Sequence, residues 1–131
     1  MIVEMSKVLL VDDDELIAES LRQLLVSEKW DVDVAVTPAA ARELMQSTPY
    51  RVILIDPFLT GSRNEDRALL MMNARHLQPD ATLIILTAYS SAAMERVAAD
   101  CRVTALIAKP QPVMLLGEVI GSLLRAKSAS A

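Results

Sequence analysis

Lys7-Val8-Leu9-Leu10-Val11-Asp12-Asp13-Asp14-Glu15 sets four consecutive apolar residues directly against four consecutive acids. Apolar side chains at every position mean that both faces of the segment are covered, the pattern of a parallel strand lying between two layers of helices. Short apolar runs of the same kind recur down the chain. Val52-Ile53-Leu54-Ile55 runs into Asp56, Leu83-Ile84-Ile85-Leu86 into Thr87, and Ala105-Leu106-Ile107-Ala108 into Lys109-Pro110. A fifth run, Val32-Asp33-Val34-Ala35-Val36, is broken by one carboxylate, which suits a strand at the edge of a sheet better than one at its centre.

Helical periodicity fills the spaces between these runs. Leu16, Ile17, Leu21, Leu24 and Leu25 are read as one apolar stripe, with Glu19, Arg22 and Gln23 elsewhere on the helix. Thr37-Pro38 offers a cap followed by proline at the first helical position and opens a second helix through about residue 46. A third is expected over about 65–76, ahead of Pro79. Ser90 or Ser91 caps a fourth carrying Met94, Val97 and Ala98, and Pro112 begins a fifth with Val113, Leu116, Ile120 and Leu123 at core spacing. Gly117 and Gly121 weaken that last helix, so packing has to carry it. Residues 1–126 then form one domain, and 127–131 a frayed tail or the start of a linker.

Strands alternating with helices imply right-handed crossovers and a doubly wound five-stranded parallel α/β sheet. With the interrupted strand at the edge and the first strand inside, the order is 2-1-3-4-5. Ligands in such sheets bind at the carboxyl ends of the strands, where the winding direction reverses between strands one and three. The residues at those ends are Asp12, Asp13, Asp56, Thr87 and Lys109. Carboxylates on adjacent strands repel, and hard oxygen ligands open to water suit Mg²⁺, with Lys109 as a second positive charge. A carboxylate beside a cation and an ammonium can attack phosphorus and carry the group as an acyl phosphate. A hydroxyl such as that of Thr87 can donate to one of the transferred oxygens.

Composition narrows the alternatives. The 131 residues amount to one domain, large enough for a core without disulfides or structural metal. Aromatics are 3% of the chain, so Leu, Ile, Val, Ala and Met must fill that core. A net charge of -4 repels nucleic-acid phosphates and anionic lipid, which disfavours both as direct partners. No apolar run is long enough for a membrane span, and Met1-Ile2-Val3-Glu4 lacks the basic start of a signal peptide, so a cytoplasmic location is expected. Cys101 is the one cysteine and reads as a small buried residue. Trp30 is read as packing, Met71-Met72 as core filler and helix surface, and His76 as a favourable charge near a helix C-terminus. Asp14 and Glu15 are expected to favour the start of the first helix.

Lys7 to Asp14, Val52 to Asp56, Ile84-Ile85-Leu86-Thr87-Ala88 and Lys109-Pro110 together resemble the receiver domains of response regulators in two-component signalling. Each motif is weak alone; four in order and at the right spacing, over about residues 6–125, are specific. The resemblance implies a flavodoxin-like fold and a non-enzymatic phosphoacceptor that nonetheless assists its own phosphotransfer and dephosphorylation. It implies Asp56 as acceptor, with Asp13, Asp56 and the Phe58 backbone carbonyl on Mg²⁺ and Asp12 acting mainly through water. It further implies Thr87 and Lys109 on the phosphoryl oxygens, a cis Lys109-Pro110 bond, and a sensor histidine kinase or phosphotransfer protein as partner. An output domain or protein downstream, and dimerisation, are left open.

Two departures from that family pattern stand out. Receivers usually carry Met-Pro and later Gly after the acceptor, whereas this stretch reads Pro57-Phe58-Leu59-Thr60-Gly61-Ser62-Arg63-Asn64. Three residues before the lysine, where Tyr or Phe is usual, stands Leu106, which has no polar tip and less reach; Tyr89 is a candidate to take over part of that role. Phe58 and Tyr89 flank the acceptor and the threonine, and their bulk is expected to hinder hydrolysis of the acyl phosphate. Two other functions compete. A receiver-like scaffold could signal without phosphorylation. An aspartate-nucleophile phosphohydrolase of the haloacid-dehalogenase type would use Asp12 and Asp14, but its later acidic pair is missing. A flavodoxin-like phosphate cradle fails because four carboxylates follow strand one.

Overall fold

The structure is a computed structural model, and it describes residues 7–60, 63–89 and 91–129. Five strands, β1 (Lys7–Val11), β2 (Asp31–Ala35), β3 (Val52–Ile55), β4 (Thr82–Thr87) and β5 (Ala105–Ala108), alternate with five helices. The helices are α1 (Glu15–Ser27), α2 (Pro38–Ser47), α3 (Asn64–Leu77), α4 (Ala92–Asp100) and α5 (Val113–Ala129). All strand pairs are parallel and the order is β2-β1-β3-β4-β5, as expected from the sequence. Side chains alternate across each strand and so feed two cores. Leu9, Val11, Ile53, Ile55, Leu83 and Ile85 face α2, α3 and α4, while Val8, Leu10, Val52, Leu54, Ile84 and Leu86 face α1 and α5.

The edge position of β2 gives Asp33 its use. Its carboxylate accepts from the Tyr50 hydroxyl at 2.7 Å and from the Lys7 ammonium at 3.4 Å. Burial of the Tyr50 ring, together with Asp33, holds the phenol well above its ordinary pKa. Trp30, the buried half of the Met71-Met72 pair, and Cys101 all pack as expected. Asp14, Thr37 and Ser91 cap α1, α2 and α4 through their side-chain oxygens. Ser90, Gly61, Ser62 and residues 1–6, 130 and 131 lie outside the described residues.

Three sequence expectations change. Leu16 is not on the α1 stripe but 78% exposed, and Ala18, Leu21 and Leu25 make the buried face. At about 100° per residue Leu16 falls about 140° from Leu21, away from the sheet. The helix α5 also continues through Ala129 instead of fraying after 126, because no glycine or proline interrupts the segment after Gly121. Gly117 is more than a weak point in α5. A Cβ there would come within 2.4 Å of Leu24 Cδ2, so its bareness lets α5 close on α1.

At the end of the sheet remote from the carboxyl edge, two side chains of the α3 C-terminal turn and its cap tie the loops together. Gln78 is buried; its Oε1 accepts from the Tyr50 N–H at 2.9 Å, and its Nε2 donates to Met45 O at 2.8 Å and Thr48 O at 2.7 Å. Arg75 donates to the carbonyls of Cys101, Gln78, Pro79, Ala81 and Arg102. Gln78→Ala would strand one buried N–H and two carbonyls, and each such group costs about 1–3 kcal/mol unless it finds water. The variant is expected to lose about 2–4 kcal/mol in urea unfolding at pH 7; a loss under 1 kcal/mol would show that solvent replaces the bracket.

Candidate functional site

The strand-end residues are fixed by the sheet itself. Asp56 N–H donates to Val11 O at 2.8 Å, Asp12 N–H to Ala35 O at 3.1 Å, and Lys109 N–H to Thr87 O at 2.9 Å. Each side chain therefore leaves a main chain that is still part of the ladder, one residue beyond a strand. Asp12, Asp56 and Thr87 are 7, 8 and 1% exposed, and with Gln78 they are the buried polar side chains among the described residues. From β5, Lys109 reaches across the edge: its Nζ donates to Asp12 Oδ2 and to Asp56 Oδ2, each at 2.8 Å. The other carboxylate oxygens take backbone donors, Asp12 Oδ1 from Asp14 N–H at 2.9 Å and Asp56 Oδ1 from Phe58 N–H at 3.0 Å.

One ammonium thus serves two buried carboxylates, and the balance is uneven. Burial raises the Asp12 pKa, more than Lys109 and the Asp14 N–H lower it, and the neighbouring Asp56 charge adds to the rise. For Lys109 burial works downward, but hydrogen bonds to both carboxylates outweigh it and hold the ammonium above its ordinary value. The trio keeps a net negative charge that calls for a further cation or for proton uptake.

Asp13 is placed differently. Its Oδ2 accepts from the Thr60 N–H at 2.7 Å and also from the Thr60 hydroxyl, and these bonds lower its pKa. Among the described residues no three acidic, histidine or cysteine side chains stand together as a group that could hold a metal ion. The Lys109-Pro110 bond is cis, as the resemblance implied. Thr87 Oγ accepts from the Tyr89 N–H at 3.1 Å, which leaves its own proton to offer. Tyr89 is 66% exposed and stands tilted against Phe58, ring centres 5.2 Å apart, with the Arg67 guanidinium 4.0 Å over the Phe58 ring. Leu106 is partly buried against the α2–α4 core, so the Tyr89 ring and Leu106 lie in different environments.

Thr60 and Arg67 were not singled out from the sequence. For Thr60 a signal existed: a hydroxyl residue in a loop where the family pattern has Met-Pro.

A family model described as response regulator receiver domain matches residues 8–120. The chain belongs to this receiver family. Its similarity to the regulatory protein VanRB of Enterococcus faecalis is 24% identity over 125 residues, 95% of this chain and 55% of that protein. The chain therefore spans little more than half the length of that curated relative. Among solved structures, a CheY-like receiver domain protein from Methanospirillum hungatei superposes with a TM-score of 0.87 at 25% identity, covering 98% of this chain and all of that one. A response regulator from Burkholderia pseudomallei, solved with a phosphorylated aspartic acid, calcium ion and citrate, gives a TM-score of 0.76 at 25% identity over 96% of this chain and 73% of that one.

The raised Asp12 pKa makes a test of the site's electrostatics. A carboxyl whose folded pKa lies above its unfolded value contributes most below about pH 4, and that contribution is lost as pH rises through the folded pKa. Asp12→Asn mimics the neutral form, so this receiver should gain stability at pH 7 from the change, with the gain shrinking toward zero near pH 4. Denaturant titrations of both proteins across that range check it, and a variant less stable at pH 7 would refute the imbalance.

Proposed function

We propose that this receiver takes a phosphoryl group on Asp56 and relays the signal by a change in conformation. What supports this most is the position of Lys109, whose ammonium touches Asp56 and Asp12 at once at the carboxyl edge of the sheet. That ammonium lies where negative charge develops when phosphorus is transferred to an Asp56 oxygen. In the step itself an Asp56 oxygen forms a bond to phosphorus while the bond from phosphorus to the donor's imidazole nitrogen breaks. The electron pair leaves with the imidazole. Lys109 exchanges a carboxylate contact for a phosphoryl oxygen, and the Thr87 hydroxyl donates to another. The donor is a sensor histidine kinase or a histidine phosphotransfer protein, the compartment is the cytoplasm, and the recipient of the signal is an output domain or a separate protein.

The donor chemistry suits a divalent cation, although Asp13, held by Thr60, is not grouped with the Asp12–Asp56 pair. Asp12, Asp13 and Asp56 supply hard anionic oxygens, and a single ammonium leaves the Asp12–Asp56 pair undercompensated. Asp12, Asp13, Asp56 and the Phe58 carbonyl would hold Mg²⁺, which when bound neutralises charge on the transferring group. Phe58 and Tyr89, backed by Arg67, are the side chains that would slow attack of water on the acyl phosphate.

Incubation with acetyl phosphate or phosphoramidate and Mg²⁺ should add one phosphoryl group by intact mass. Asp56→Asn or chelation of the metal should abolish this, and Lys109→Met should slow it by roughly 10²-fold, as loss of one charge-stabilising donor does. Label on Asp12 would favour the phosphohydrolase alternative, and no label on any aspartate would favour a scaffold that signals without phosphorylation. In the phosphorylated protein, Phe58→Ala should shorten the half-life of the acyl phosphate severalfold, measured by loss of label after donor removal. An unchanged half-life would remove the shielding role.

A further inference from the structure

Asp13 and Thr60 are 47 positions apart, yet both Thr60 donors converge on one Asp13 oxygen. The neighbouring acids are arranged otherwise: Asp12 and Asp56 share Lys109, and no described trio of acids is grouped for a cation. Two hydrogen bonds to a carboxylate reduce the charge it can offer elsewhere and fix the direction in which it points. Taking Asp13 as a metal ligand, as proposed above, we infer that Thr60 is a latch that competes with Mg²⁺ for the Asp13 carboxylate. Metal binding then trades the two Thr60 donors for the ion and releases Thr60 from Asp13.

The surroundings permit such a release. Thr60 is exposed, and with Leu59 it borders an open groove of about 410 Å³ between α2 and α3, so there is open space beside the threonine. The loop's anchor is one residue back, where Leu59 is buried in the core with α2 and α3. Release of Thr60 therefore leaves Leu59 in place, and Asp56 and Phe58 stay joined through the Phe58 N–H. The hydroxyl and the N–H act together: Thr60→Val removes the first and Thr60→Pro both, whereas Thr60→Ser keeps both.

Calorimetric titration of the whole chain with MgCl2 separates the possibilities. Loss of one hydrogen bond to a charged group is of the order of a tenfold change in affinity, about 1.4 kcal/mol. Thr60→Val should therefore bind Mg²⁺ roughly tenfold tighter than the parent, Thr60→Pro at least as tightly as Thr60→Val, and Thr60→Ser like the parent. Amide exchange gives a second readout: the Thr60 N–H should be protected without metal and lose protection at saturating Mg²⁺. Equal or weaker binding by Thr60→Val, or a Thr60 amide still protected with metal bound, would overturn the latch. Asp13→Asn tells the two failures apart. If it weakens binding while the Thr60 variants change nothing, only the latch is wrong. If it binds as the parent does, or the parent binds no Mg²⁺, the assignment of Asp13 to the metal is wrong as well.

Discussion

The ammonium of Lys109, held between two carboxylates that the sheet has taken out of water, is the contact around which this receiver is organised. A buried carboxylate pair is tolerated only when something positive offsets it, and here one charge is divided between two. Asp12, Asp56 and Lys109 come from β1, β3 and β5, so that one contact ties together the centre and one edge of the sheet at its carboxyl end. It also leaves the site short of positive charge.

The opposite end of the molecule is built on the reverse logic. There Gln78 satisfies one N–H and two carbonyls and Arg75 serves five carbonyls, while the buried Trp30 Nε1 has no partner among the described residues. Between the two ends lie apolar strands covered on both faces, with Gly117 allowing the α1–α5 layer to close. A densely bonded base and an under-compensated top on one stiff sheet is a sensible division for a signalling domain. The dense hydrogen bonding lies away from the carboxyl edge, where Asp12 and Asp56 share a single ammonium.

The rim of the site combines firm and loose parts. Asp56 and Phe58 are joined within one turn of chain, and Phe58 is further pinned between Tyr89 and Arg67. Asp13 is instead bonded across the rim to a loop whose other side is open. Leu106 sits with the core and the Tyr89 ring with solvent. Among the described residues the aromatic contact is therefore on the Asp56 side, between the segments after β3 and β4, and not at the β5 position held by Leu106.

The sequence by itself determined the alternation of strands and helices, the edge place of β2 and the identity of the strand-end residues. Each of these depends on a local pattern: unbroken apolar runs, one misplaced carboxylate at Asp33, and polar residues immediately after a strand. It misplaced Leu16, where a stripe drawn by spacing ignored the angle around the helix, and it ended α5 too early. Only the tertiary structure decided that Asp13 faces Thr60, that Gln78 and Arg75 bind carbonyls up to 33 positions away, and that Gly117 is a close approach of two helices. Those are hydrogen bonds and contacts between distant segments, set by where the folded backbone brings donors and acceptors together, and no period or spacing along the chain encodes them.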